Sequence, residues 1–450
     1  MSESVNAAFM LTETNPAPGD LDAFWMPFTN NRAFKQSPRL LVSAKGMYYT
    51  SADGRQILDG TAGLWCTAAG HCRTSITEAI RKQAGTLDFA PTFQLAHPKA
   101  FEFADRLAAI MPKPLDRIFF TGSGSESADT ALKMALAYQK ARGHAGRTRL
   151  IGRERGYHGT NFGGTSVGGI GGNRRAFGAQ LWGVDHLPHT YRRSTAFAPG
   201  QPPSNEDMAG ALEDLIALHG PETIAAVIVE PVAGSTGVLI PPRGYLERLR
   251  EITAHHGIVL IFDEVITAFG RLGGATAAEV FGITPDILTM AKALTNATVP
   301  MGAVAARREI HDTIVDNAPP GIEFFHGYTY SGHPLAAAAG IASLDLYREE
   351  GLFARAAALA PSWEAAMHGL RGTAHVIDIR TIGLIAGIEL EPRLGAPGAR
   401  GLEVFHRCFD SGFLIRVTGD IIALSPPLII EGSQITEMTE RLAAAIGATA

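Results

Sequence analysis

Ile224-Ala-Ala-Val-Ile-Val-Glu230, Gly244 to His256, Gly257, and Ile258-Val-Leu-Ile-Phe-Asp263 read in order as strand, helix, stop and strand. The two apolar runs are short and rich in β-branched residues. They lack the polar alternation of a half-exposed sheet, which is the pattern of strands buried on both faces. Between them Tyr245, Leu246, Leu249 and Ile252 recur at helical spacing, and Gly257 supplies the residue on which helices commonly stop. Strand, helix and strand in that order make a right-handed crossover unit. The unit predicts an α/β fold with a mostly parallel central sheet flanked by helices.

On either side the pattern continues. Arg117-Ile-Phe-Phe-Thr121 and Ile287-Leu-Thr-Met-Ala291 predict further strands. Gly46 to Leu58 reads as a hairpin turning at Asp53-Gly54. Beyond Pro334, helical spacing returns over Leu335–Tyr347 and Ala354–Leu370, with strand-like pieces near Leu384–Leu390 and Phe413–Val417. The expected organisation is an N-terminal arm and part of a small domain over residues 1–75, a large domain over 76–335, and the rest of the small domain over 336–450. The smaller α+β domain would thus be assembled from both chain ends. The first ~20 residues, polar and Pro-containing, read as a loosely held arm.

With 450 residues, 46% of them hydrophobic and 18% charged, the chain is long enough for two cores. A net charge of −5 offers no electrostatic footprint for nucleic acid or an anionic membrane surface. The apolar runs are too short to span a bilayer, and the N-terminus lacks the basic start and apolar stretch of a signal peptide. Cys66, Cys72 and Cys408 form no C-x-x-C pair and cannot all be paired. That favours a reducing compartment, the cytoplasm, over a disulfide framework or a zinc knuckle.

In open α/β sheets ligands bind beyond the carboxyl ends of the strands, so the polar residues there are the candidates. Ser123-Gly124-Ser125-Glu126 follows a strand and opens a helix, with Ser123 and Glu126 at capping-box spacing. Free N–H groups and the positive end of a helix dipole suit a phosphate there, although an ordinary capped helix has the same spacing. Asp263 ends a buried strand, where an unpaired charge is costly; a protonated pyridine nitrogen would serve as its partner. Lys292 ends the next strand, where desolvation would lower its pKa and make the amine nucleophilic toward an aldehyde. Either residue alone is better explained as one half of a structural ion pair. An anion site, an acid and a lysine together meet the needs of pyridoxal phosphate. A separate motif, Gly164-Thr-Ser166-Val-Gly168, has the G-x-S-x-G form of a hydrolase. Its glycine-rich flanks predict neither a strand entering nor a helix leaving.

Asp263-Glu-Val-Ile-Thr-Ala-Phe-Gly-Arg271 and Thr284-Pro-Asp286 through Lys292-Ala-Leu-Thr295 resemble the signature of class III (omega) aminotransferases, in the fold-type I pyridoxal-phosphate superfamily. The likeness continues through Gly156-Tyr157-His158-Gly159, Glu230-Pro231 and His326 to Pro334, and so spans nearly the whole chain. Trp25-Met-Pro-Phe-Thr29, Gly63-Leu-Trp65 and His186-Leu-Pro-His189 look like the ω-amino acid (β-alanine)–pyruvate branch. The resemblance implies that Gly124 and Ser125 bind the cofactor phosphate, that Tyr157 and Val265 cover the two ring faces, and that Asp263, supported by Glu230, pairs with the ring nitrogen. It implies that Lys292 joins the cofactor as a Schiff base and shuttles the proton, and that Arg416 and Trp65 line the substrate site. Thr329 would reach the phosphate of the neighbouring subunit, implying a homodimer, alone or as half of a tetramer. Without the family, Trp65 reads as core packing, Arg416 equally as a carboxylate clamp or an ion-pair member, and the glycine-bracketed Tyr157-His158 as a loop over a ligand or, for His158, a residue satisfying a backbone carbonyl. Ala268, Leu272 and Ala297 depart from the family's usual Gly, Thr and Gly, and none removes a reacting group. The expected reaction is amino-group transfer from an ω-amino acid or amine to pyruvate or a related keto acid. An aminomutase of the same fold, which needs no separate acceptor, is the nearest rival; Arg416 and the Trp65 region favour two substrates. A non-enzymatic relative of the fold is disfavoured by the retention of Asp263 and Lys292.

Overall fold

The computed structural model describes residues 21–178, 180–204 and 206–449. Its first strands are β1 (Leu41–Lys45), β2 (Tyr48–Ser51) and β3 (Gln56–Asp59). Then come β4 (Leu115–Thr121), β5 (Arg149–Arg153), β6 (Val184–Leu187), β7 (Ile224–Val229), β8 (Val259–Asp263), β9 (Ile287–Met290) and β10 (Gly302–Arg307). The last are β11 (Val376–Ile382), β12 (Ile385–Leu390), β13 (Phe413–Leu414), β14 (Arg416–Thr418) and β15 (Ile421–Leu424).

The central sheet has seven strands in the order β4-β10-β9-β8-β7-β5-β6. The pairs from β6 through β5, β7 and β8 to β9 are parallel; β10 runs antiparallel to both β9 and β4. Every residue of β7, β8 and β9 is buried, which is why these strands are continuous apolar runs. The crossover helix Tyr245–His256 packs Tyr245, Leu246, Leu249 and Ile252 inward and stops at Gly257, whose φ of 64° is left-handed. Burying each such side chain contributes about 1.5–3 kcal/mol. Strand order reverses between β5 and β7, opening a crevice at the carboxyl ends of the strands.

Two four-stranded sheets complete the fold, β1-β2-β3-β13 and β11-β12-β15-β14. In the first, Phe413 of β13 registers with Leu58 of β3 in parallel, so the smaller α+β part draws on both ends of the chain. The expected strand Phe413–Val417 is in fact divided at Ile415. Its first half joins β3 and its second half, β14, joins β15. A corner between two sheets leaves no mark on local residue preferences. The predicted helices are present as Pro334–Glu349 and Leu352–His368. Among the described residues no helix is long and apolar enough to cross a membrane.

Candidate active site

Strand β4 delivers the anion-binding helix. Ser123 Oγ accepts from the Glu126 N–H at 3.2 Å, and the Glu126 carboxylate accepts from the Gly122 N–H at 2.6 Å. The cap thereby orders the first turn of the helix Gly124–Ala141. Gly124 is tightly enclosed: a Cβ there would lie 3.0 Å from Val265 Cγ1 and 3.5 Å from Ala291 Cβ. The helix start therefore rests on the residue two beyond Asp263 and on the residue before Lys292. Ser125 Oγ accepts from the Thr160 N–H at 3.1 Å, which brings in the loop carrying Tyr157 and His158.

The acids form one wall. Asp263 is buried, with one oxygen 2.8 Å from His158 Nδ1 and the other accepting from the Val265 N–H at 3.1 Å. Glu230, also buried, accepts from the N–H groups of Tyr157 at 2.8 Å and Gly234 at 3.1 Å. Burial pushes the Glu230 carboxyl above the usual carboxylate range, against the pull of His158. Tyr157 is half-buried, and its phenol is raised by burial, with Arg416 opposing and Asp263 and Glu230 adding to the shift. Glu264 beside Asp263 faces away to cap a short helix, accepting from Ala277, Ala278 and Thr267; burial lifts it to about 7.

The cations form the other wall. Lys292 follows β9 with a left-handed φ of 51° and opens the 3-10 turn Lys292–Thr295. Desolvation lowers its pKa; Cys66, Asp263 and Glu230 oppose the shift and Arg416 reinforces it. Arg416, on β14, has a buried Nε without a partner, and no ion pair forms to it among the described residues. Its guanidinium is likewise depressed by burial, with Tyr157 and Cys66 countering. Trp65 is 3% exposed and packs among Val232, Ile266, Ile385 and Ala423. Its indole N–H takes no partner among the described residues.

Eight of the residues proposed from sequence are thus joined through this geometry: Gly124, Ser125, Tyr157, Glu230, Asp263, Val265, Lys292 and Arg416. Trp65 adjoins them through its neighbour Cys66. Thr329 stands apart, exposed on a turn whose Tyr328 hydroxyl donates to the Glu126 carbonyl at 3.3 Å. Two residues were missed. His158 pairs with the Asp263 carboxylate instead of a carbonyl, a contact between distant segments that no local pattern announces. Cys66, which counted only toward disulfide chemistry, lies close enough to Lys292 to influence its charge. The hydrolase motif fails: Ser166 is fully buried in the short helix Phe162–Val167 and donates to the Phe162 carbonyl at 2.5 Å. The serine lies within a helix rather than on a turn before one, a short helix Gly171–Arg175 does follow, and Gly164 is required because a Cβ there would lie 2.1 Å from the His158 carbonyl oxygen.

A mostly parallel sheet whose strand ends gather an ordered helix start, a buried acid and a desolvated lysine defines a group-transfer enzyme of fold type I. The chain belongs to the aminotransferase class-III family, whose model matches residues 29–446, and is a transaminase. It is 63% identical over 429 residues to the omega-aminotransferase of Caulobacter vibrioides, covering 95% of this chain and 98% of that protein. It is 49% identical over 434 residues to the beta-alanine–pyruvate aminotransferase of Pseudomonas aeruginosa, covering 96% and 97% respectively. Among solved structures, the omega transaminase of Pseudomonas jessenii in complex with PMP superposes with a TM-score of 0.90 at 33% identity, over 96% of this chain and 98% of that one.

Proposed function

We propose that this transaminase uses pyridoxal 5'-phosphate to pass the amino group of an ω-amino acid, such as β-alanine, to pyruvate or a related 2-keto acid. One observation carries the cofactor reading: Gly124 packs at once on Val265 and on Ala291, so a phosphate-ready helix start, a buried acid and a desolvated amine share one crevice. The donor set fits the group. Gly124 and Ser125 would hold the phosphate, Tyr157 and Val265 would flank the ring, and Lys292 would bind at the aldehyde. Asp263, oriented by His158 and braced through Glu230 and Tyr157, would keep a proton on the ring nitrogen. When bound, the cofactor supplies a carbonyl that takes up the amino group and a protonated ring that withdraws electrons from the reacting carbon.

The remaining chemistry belongs to the chain. Lys292 Nζ, left neutral more readily by desolvation, removes the proton from the donor carbon and returns it when the acceptor is aminated. Arg416 presents a planar fork with no protein carboxylate on it, suited to the carboxylate of the keto acid. Trp65 and Ile266 make the apolar side of the pocket. The Pseudomonas aeruginosa relative's β-alanine and pyruvate are the substrates that support this choice. Thr329, exposed in the single chain, is assigned to the phosphate of a neighbouring subunit in a homodimer.

The test is a donor panel of β-alanine, 4-aminobutyrate, taurine, a polyamine and an aryl-alkyl amine, each run against pyruvate, 2-oxoglutarate and glyoxylate. Alanine formation from β-alanine and pyruvate is expected. Turnover of a donor without consumption of any acceptor would instead mark an aminomutase.

A further inference from the structure

Two short turns near the site hold non-glycine residues in left-handed backbone. One contains Ala62 and Trp65, with φ of 46° and 65°; the other contains Lys292, Asn296 and Ala297, with φ of 51°, 49° and 57°. Such conformations are unfavourable for L-residues and persist only where the surroundings over-determine them. The surroundings here are specific. Asp59, fully buried at the end of β3, accepts from Thr61 N–H at 2.9 Å, Thr61 Oγ1 at 3.0 Å and Gly63 N–H at 2.7 Å. The same carboxylate lies 2.8 Å from His71 Nε2, closing the loop of residues 59–71 at its mouth. Trp65 and Cys66 sit on that loop, and Ser425 N–H anchors it at the Gly60 carbonyl, 2.8 Å away.

Its far limb is held by one side chain from the other turn. Asn296 is buried, its Oδ1 accepting from the Ala69 N–H at 2.8 Å and its Nδ2 donating to the Gly70 carbonyl at 2.9 Å. Gly70 itself has a left-handed φ of 82°, and a Cβ there would meet Ile429 Cδ1 at 2.5 Å and the Gly46 carbonyl oxygen at 2.9 Å, so this limb of the loop is closely enclosed. Asn296 meanwhile closes its own turn, its N–H bonding to the Ala293 carbonyl at 3.0 Å. A single residue therefore shapes the backbone that carries Lys292 and grips the loop that carries Trp65 and Cys66.

We propose that Asn296 is a positioning residue whose side-chain amide fixes the Trp65–Cys66 wall against Lys292 and so sets the room available to the amino donor. The proposal rests on the reading of Lys292 as the reacting amine. An asparagine is also favoured in left-handed backbone for local reasons alone, so the decisive variant is Asn296→Gly, which keeps that conformation and deletes only the amide. The protein as purified is treated with iodoacetamide, and the modification rate of each cysteine is followed by mass spectrometry. Exposed Cys72 and buried Cys408 are internal controls. The Cys66 rate is expected to rise about tenfold in Asn296→Gly, in line with losing one or two buried hydrogen bonds, while Cys408 stays unchanged. The ratio of kcat/KM for β-alanine to that for an aryl-alkyl amine should shift about fivefold, since the pocket loses its fixed width. An unchanged Cys66 rate overturns the proposal, as does a joint rise at Cys66 and Cys408, which reports general loosening. Should Asn296→Gly not fold, Asn296→Asp carries the same test, because it retains the acceptor for Ala69 and loses the donor to Gly70. Failure of any donor to react in the unaltered protein would count against Lys292, and the labelling result would still decide the role of Asn296.

Discussion

The two walls of the site are built on opposite terms. On the acid wall every carboxylate oxygen is occupied: Asp263 by His158 and Val265, Glu230 by Tyr157 and Gly234. On the cation wall Lys292 and Arg416 are desolvated with no carboxylate paired to them among the described residues, and the backbone at Lys292 is left-handed. A buried carboxylate bonded at both oxygens is held still, and the lone pairs that these bonds leave suit the proposed pairing of Asp263 with a ring nitrogen. A half-buried cation left unpaired is costly by itself, and that cost is relieved only when an anionic or carbonyl ligand arrives. The acid wall is complete before binding; the cation wall is completed by it.

The difference can be broken first at Lys292. Replacing Lys292 with Ala should lower amino transfer by at least about 10³-fold, the range for a removed proton carrier. The visible absorbance of protein-bound cofactor should change with it, and thermal stability should hold or rise because a desolvated cation has gone. Turnover near that of the parent would remove Lys292 from the mechanism. On the opposite wall, Asp263→Asn should reduce kcat by about 10²-fold or more and also lower stability. The variant weakens the partner of buried His158, and unsatisfied buried groups cost about 1–3 kcal/mol. Denaturant melts beside steady-state rates give both numbers; loss of activity with no loss of stability would mean that the acid wall is not pre-built.

Arg416→Ala sharpens the contrast. The KM for pyruvate should rise about 10- to 100-fold, as expected for a charge-assisted pair of about 1.5–3 kcal/mol, while a donor without a carboxylate reacts as before. Stability should not fall, since among the described residues the buried Nε of Arg416 has no partner to lose. An unchanged pyruvate KM would make Arg416 a structural residue. The smallest effect is in pH. In cofactor-free protein, reductive methylation of Lys292 should reach half its maximal rate below pH 10.5, the ordinary lysine value, because desolvation favours the neutral amine. The sign for stability follows: a base whose folded pKa is lowered binds fewer protons when folded, so its unfavourable contribution fades as pH rises through that window. A half-point at or above the ordinary value would show the amine to be solvated.

Much of this was legible in the chain. The buried strands β7, β8 and β9 announce themselves because both faces are covered, and the polar residue that ends each run falls where the sheet opens its crevice. Glu230, Asp263 and Lys292 were found that way. The Ser123 cap was equally visible, since its spacing lies within one turn, although the Glu126 carboxylate returns to the Gly122 N–H and not to that of Ser123. The bond from His158 to Asp263 was not, because it joins a loop after β5 to the end of β8, 105 residues further along the chain. The reassignment of Phe413–Val417 to two sheets and the reversal of β10 were hidden for the same reason.

By itself the sequence determined which polar residues stand at which strand ends, since periodicity and capping act over a few residues. Only the tertiary structure decided which of those groups are satisfied and which are left for a ligand. Desolvation and pairing depend on distances between groups remote in the chain, and so the depressed amine of Lys292, the open guanidinium of Arg416 and the grip of Asn296 on residues 69–70 exist only once the two walls have folded against each other.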